Sequence, residues 1–259
     1  MSSVRLRSVE LGSGRPKVCV SLLGTTVDEM VAAVNDLVID ELDLVEVRLD
    51  HVAGSATDVS LVADSLRAVR AVLADGIPII ATFRSEREGG VQPITPEGYV
   101  AVIETATGLS DAIDIELTTP RPDLDTLVAQ AKATGVAVII SNHDFEATPS
   151  KTEIVERLLM EQALGADIVK VAAMPLVAAD VITLLAATDE FVTRHATVPT
   201  ITMSMGGLGA ISRIAGETFG SCLTFGFVGA PSAPGQLGAG ELRAMLERLH
   251  RAEALAAES

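Results

Sequence analysis

The chain is short of positive charge. Its 19 Lys and Arg face 35 Asp and Glu, for a formal net charge of −16. That argues against a nucleic-acid partner, because phosphate binding needs a cationic excess. It argues equally against an anionic membrane surface. An anionic substrate would need arginines gathered locally against a repulsive background. Long apolar runs are missing too. No window of 18 or more residues is apolar and uncharged, so no transmembrane span is expected. The opening "MSSVRLRSVELGSGRPK" has no continuous apolar centre and does not read as a secretory signal, which fits a cytoplasmic protein. Cysteine is scarce. Cys19 and Cys222 lie in apolar strand-like runs and read as small core residues in a reducing compartment, not as a disulfide. No CxxC and no His/Cys spacing suggests zinc, so no metal site is expected.

What the chain has is an apolar fraction of 48% spread over 259 residues, enough for a substantial core. Short β-branched runs recur: "KVCVSLL", "LDLVEVRLD", "IPIIATFR", "AIDIELT", "VAVIISNHD", "ADIVKVAA", "TITMSMG" and "SCLTFGFVG". Between most of them lie stretches of helical period, several opening on Asp, Ser or Thr and several ending at Gly. Strand–helix alternation predicts parallel βαβ units. At about 250 residues, the matching α/β architecture is one (β/α)₈ TIM barrel. A doubly wound open sheet is the alternative, but no GxGxxG follows the first strand. No Pro/Gly/Ser-rich linker divides the chain, so residues 1–259 read as one barrel domain. Residues 1–16 read as an N-terminal β-hairpin, turning at Gly12-Ser13-Gly14, that closes the barrel bottom.

Side chains alternate along a strand, and a barrel carries its chemistry at the C-terminal strand ends. Alternation puts Glu46, Arg48 and Asp50 on the interior face of one strand, with Val45, Val47 and Leu49 toward the helices. It puts Thr82 and Arg84 together on the next, where a guanidinium could take an anionic ligand bidentately. His143 ends a strand on the same face as Ser141. His51, His195 and His250 have no such placement and read as surface residues.

Lys170 is the residue out of place. It is one of four lysines, and it sits inside the buried run "GADIVKVAAMP". Burial disfavours the charged form of an amine and frees a nucleophile for a carbonyl. The structural alternative is a buried ion pair, which costs several kcal/mol of desolvation for little net stability. Small neighbours Ala172 and Ala173 leave room for a ligand. Met203 and Met205 suit an adaptable wall. "GGLGAISRI" reads as the start of a helix that places Arg213 near its N-terminus, and Ser232 and Gln236 fall in the last strand–helix loop. These residues imply carbonyl chemistry through a lysine imine, with His143 moving protons. They do not choose between aldol cleavage and dehydration.

Taken together, "EVRLD" (46–50), "TFRS" with a following "GG" (82–90), "DIEL" (114–117), "NHDFEATP" (142–149), "GADIVKVA" (165–172), "SMGGLGAISR" (204–213), "GSCLTFG" (220–226) and "SAPGQL" (232–237) resemble the type I 3-dehydroquinate dehydratases. The resemblance covers nearly the whole chain. It implies a cofactor-free lyase converting 3-dehydroquinate to 3-dehydroshikimate and water in the shikimate pathway. Lys170 matches the imine-forming lysine and His143 the general base and acid. Glu88, just before the Gly-Gly pair, best matches the glutamate that orients the histidine, with Glu86 the nearby alternative. Arg213 matches the carboxylate-binding arginine. Glu46, Arg48 and Arg84 match groups on the ring hydroxyls, and Ser21, Ser232 and Gln236 match further substrate contacts. Met203 and Met205 resemble the apolar lining. The family is often dimeric, so a homodimer is implied. The alternatives are a class I aldolase and a non-catalytic barrel. The last loop, "VGAPSAPGQLG", holds two prolines without N–H donors and makes a poor phosphate cradle, which counts against an aldolase of phosphorylated sugars.

Overall fold

The computed structural model describes residues 3–229, 231 and 235–257. Strands β1 (Val4–Leu6) and β2 (Val9–Leu11) form an antiparallel hairpin. Eight parallel strands follow: β3 (Lys17–Leu22), β4 (Leu44–Arg48), β5 (Ile79–Thr82), β6 (Ala112–Glu116), β7 (Ala137–Asp144), β8 (Ile168–Ala173), β9 (Thr200–Ser204) and β10 (Leu223–Phe227). They run in the order β10-β3-β4-β5-β6-β7-β8-β9. The sheet curls until β9 meets β10. There the seam is a bridge between Thr200 and Ser221, with the Cys222 N–H donating to the Thr200 carbonyl at 2.8 Å. A two-residue β11 (Leu237–Gly238) adds to the end of β10. The expected TIM barrel is the observed fold.

The helices that cover the barrel are α1 (Val27–Asn35), α2 (Val59–Val72), α3 (Pro96–Ala106), α4 (Arg121–Thr134), α5 (Lys151–Ala163), α6 (Ala178–Arg194), the short α7 (Ala210–Ile214) and α8 (Gly216–Phe219), and α9 (Ala239–Ala257). Thr26, Asp58, Thr95 and Ser150 each accept a first-turn backbone N–H with their side chains, as their types predict for N-caps. Among the described residues, no helix is long and apolar enough to cross a membrane.

Strand alternation sorts the core into two layers. Val45, Val47, Ile113, Ile115, Val169 and Val171 point outward and pack with Leu66, Ile103, Leu127, Leu158 and Leu184 of the helices. Cys19, Leu44, Ile80, Ala112, Ile139, Ile168, Ile201 and Leu223 point inward. Leu6, Val9 and Leu11 of the hairpin join this inner cluster at the N-terminal strand ends, leaving the opposite end for polar side chains. A repeated device ties that lower end together. Asp43, Asp111 and Asp167 each stand just before a strand and accept the N–H of Val18, Ile79 and Val138 at 2.8, 2.8 and 2.9 Å. A charge-assisted bond to an N–H at the start of the neighbouring strand helps fix the register of the pair. Cys19 is buried, Cys222 half-buried, and both thiols are free.

The hairpin turns elsewhere than expected. Arg7 and Ser8 make the turn, and Gly12, Ser13 and Gly14 link β2 to β3. Arg7 adopts φ 49°, unusual for a side-chain-bearing residue. Long-range anchors account for it. Arg7 reaches Asp111 at 2.7 Å and the Asp75 carbonyl at 3.0 Å, and Ser8 Oγ donates to the Gly76 carbonyl at 2.7 Å.

Candidate active site

Above the inner apolar layer, the C-terminal strand ends enclose a cavity of about 160 Å³. Ser21, Glu46, Arg48, Arg84, Glu88, His143, Lys170, Met203, Met205, Arg213 and Gln236 all line it, joined by Thr82, Gly89, Phe145, Ala172 and Phe225. Ser232 lies outside the described residues.

Lys170 is the third residue of β8, all of whose residues are buried. Its Nζ lies 2.9 Å from Asp114 Oδ2 and 3.6 Å from Glu46 Oε1, and 4.9 Å above the Phe225 ring centroid. The lysine is therefore both a cavity residue and an ion-pair partner. Nucleophile and buried ion pair are thus not exclusive readings of Lys170. Behind the strand, the Lys170 backbone N–H donates to Glu161 Oε2 of α5 at 2.8 Å. Glu161 is fully buried, and desolvation raises its carboxyl well above the usual carboxylate range.

Arg84 is the hub of the site. Its guanidinium reaches Asp114 at 2.8 Å, Glu116 at 3.1 Å and Ser141 Oγ at 3.0 Å, with Glu88 at 3.5 Å. Burial works against the charge, but Asp114, Glu116 and Glu88 outweigh it and hold the guanidinium more firmly protonated than usual. This arginine spends most of its donors on protein carboxylates. Asp114 and Glu116 share the interior face of β6, and the same alternation that singles out Glu46 and Arg48 would have found them in "AIDIE".

The two candidate glutamates separate cleanly. Residues Glu86–Glu88 form a 3₁₀ turn that leaves Glu86 exposed and turns Glu88 inward, 2% exposed. Glu88 Oε2 accepts the His143 backbone N–H at 3.0 Å and lies 3.0 Å from its Nδ1. Thr118 Oγ1 donates to Glu88 Oε1 at 3.2 Å. Burial pushes Glu88 up to about 7, with Glu116 and Asp114 adding and Arg84 opposing. Gly89, at φ 85°, then reverses the chain so tightly that a Cβ on Gly90 would overlap the Arg84 carbonyl. That close approach is the reason for the Gly-Gly pair.

Desolvation, then the Arg84 and Lys170 charges, hold His143 well below the usual imidazole value, so the ring is neutral at neutral pH. With Nδ1–H donated to Glu88, Nε2 carries a free lone pair. Arg48 is clamped bidentately by Asp50 at 2.8 Å on both arms, and Glu46 accepts from Ser21 at 2.7 Å and Thr82 at 2.9 Å. Burial lowers the Arg213 guanidinium to about 10. Arg213 sits in the last turn of the five-residue α7, not near a helix N-terminus, so the helix dipole does not add to its charge there. Of the other histidines, His195 is exposed and His250 keeps a surface position beside Glu217, as expected, whereas His51 is half-buried, 4.0 Å from Asp50.

The type I 3-dehydroquinase family model matches residues 18–253. The 3-dehydroquinate dehydratase of Salmonella agona (strain SL483) is 46% identical over 254 residues, 97% of this chain and 100% of that protein. The type I 3-dehydroquinate dehydratase of Clostridium difficile, solved with covalently modified comenic acid, superposes with TM-score 0.92 at 41% identity. That match covers 97% of this chain and 98% of the other. The 3-dehydroquinate dehydratase of Enterococcus faecalis gives TM-score 0.86 at 40% identity over 95% and 98%. Barrel, cavity and sequence agree: this chain belongs to the type I 3-dehydroquinase family.

Proposed function

We propose that this enzyme dehydrates 3-dehydroquinate to 3-dehydroshikimate and water through an imine on Lys170. The observation that carries the reading is a neutral histidine, oriented by buried Glu88, sharing one cavity with the Lys170 side chain. Nζ of Lys170 bonds to the ketone carbon, and the carbonyl oxygen departs as water, leaving an iminium. The iminium accepts the electron pair of the adjacent C–H bond, so that proton becomes acidic enough for His143 to take. The resulting enamine expels the hydroxyl on the next carbon, protonated by the same His143, as a second water. Hydrolysis of the conjugated iminium consumes one water and frees the enone and the amine. The net change is loss of one water.

Arg213 holds the substrate carboxylate, and Glu46, Arg48, Ser21 and Gln236 hold ring hydroxyls. The Arg84 side chain contributes mainly by fixing Asp114, Glu116 and Glu88, with its cavity edge left for a hydroxyl. Ser232 completes the substrate contacts on the family resemblance. Met203 and Met205 exclude water from the imine. The same reading assigns the reaction to the cytoplasmic shikimate pathway, carried by a homodimer, on the strength of the family alone.

The test follows the ultraviolet absorbance of the conjugated enone. The parent enzyme is expected to generate it from 3-dehydroquinate, and His143→Ala to slow it by about 10²–10⁴-fold while still forming the imine. Turnover by His143→Ala within threefold of the parent would remove the histidine from the mechanism.

A further inference from the structure

We propose that Asp114 is a catalytic residue, the fixed anion that holds the Lys170 nitrogen in its cationic states on the path through the imine. The inference rests on the imine reading above and adds a group that touches the reacting atom. Asp114 is fully buried at the middle of β6, and its Oδ2 is 2.9 Å from Lys170 Nζ. On another side the same nitrogen meets the Phe225 ring at 4.9 Å. An anion and a π face both favour a cation between them.

Asp114 is built to stay charged. Its Oδ1 accepts from Ser141 Oγ at 2.6 Å and from Arg84 Nη2 at 2.8 Å. Burial alone would raise its carboxyl, but Arg84, Lys170 and His143 reverse this and hold it far below the usual range. A carboxylate so held is a poor proton acceptor, so Asp114 is not the base that frees the amine. Glu46 is the second anion near Nζ, at 3.6 Å, but its oxygens are engaged by Ser21 and Thr82. Glu116 and Glu88 sit on Arg84, not on the lysine.

The charge balance shows where such an anion acts. An ammonium and a ketone give an iminium and water, with one positive charge on nitrogen before and after. When His143 takes the C–H proton, the nitrogen becomes neutral in the enamine. Expulsion of the hydroxyl as water restores the positive charge in the conjugated iminium. A fixed anion at the nitrogen therefore raises the iminium population and assists hydroxyl loss, while opposing the enamine stage. Because it is oriented in advance by Arg84 and Ser141, it needs no reorganisation as the charge returns.

The experiment compares parent and Asp114→Asn, which keeps the shape and loses the charge. Rates of inactivation by borohydride at saturating 3-dehydroquinate report the iminium population. The expectation is that this rate and kcat both fall about 10²–10³-fold. If Asp114→Asn does not fold, Asp114→Ala with added formate carries the test. Formate is expected to restore at least tenfold in kcat where formamide restores none.

Asp114→Asn within threefold of the parent in both rates would overturn the proposal. So would a fall in kcat with an unchanged borohydride rate, or equal rescue by formamide and formate. A parent enzyme that gives no borohydride adduct would instead bring down the imine reading itself.

Discussion

Replacing Glu88 by Gln removes a carboxylate whose burial the fold opposes. Glu88 is pushed up to about 7 in the folded protein, against about 4.3 in an unfolded chain. The native state therefore binds a proton more tightly than the unfolded state between those values. Stability must fall as pH rises through that window, because the unfolded state ionises first. Glutamine has no such ionisation, so the difference between the two proteins isolates Glu88. At about 1.4 kcal/mol per pKa unit, the Glu88→Gln protein gains roughly 2–3 kcal/mol relative to the parent between pH 5 and pH 8. For a domain of this size that is roughly 5–10 °C in relative Tm. Lost bonds to the His143 N–H and to Thr118 lower the variant at every pH and do not alter the slope. The assay is a pair of thermal melts at pH 5, 6, 7 and 8. A Tm difference that stays flat across that range would refute the electrostatic account of Glu88. The same substitution should slow turnover, since it weakens the group that orients His143. The stability gained would then come at the expense of function.

Arg213→Ala is expected to weaken substrate binding by about 2–5 kcal/mol, read as a rise in KM, while a neutral analogue lacking the carboxylate is unaffected. Equal loss for the neutral analogue would remove the carboxylate assignment. Leu11→Ala, at a fully buried hairpin position packed into the barrel bottom, should cost about 2–5 kcal/mol in urea unfolding and leave kcat unchanged. A cost under about 0.5 kcal/mol would mean that the hairpin is not part of the core.

Much of this site was legible because a barrel strand has only two faces. Once Lys170 is recognised as a charge within a two-sided buried run, its neighbours on alternate positions follow. The same rule placed Glu46, Arg48 and His143. What the sequence hid were relations across the barrel. Asp114 meets Lys170 from a strand two places away and 56 residues earlier in the chain, and no local pattern reports that. Burial alone suggested an unpartnered amine, whereas the fold supplies two carboxylates. Its place just before Gly89-Gly90 favours Glu88, but Glu86 stays close, because in an extended loop the two would share a side. The 3₁₀ turn separates them. The hairpin turn was misplaced for a related reason. The Gly-Ser-Gly segment has the local signal of a turn, but Arg7 and Ser8 are fixed by partners far along the chain. Arg213 lines the cavity from the far end of a five-residue helix, not from near the helix N-terminus that the sequence suggests.

The covalent lysine is the claim on which the rest depends. Its direct measurement is to incubate the protein with 3-dehydroquinate, reduce with borohydride, digest and locate the added mass. The account predicts one stable adduct, on Lys170, with Lys17, Lys132 and Lys151 unmodified and activity lost in step with labelling. A folded, active protein that dehydrates the substrate with no adduct on Lys170 would contradict it.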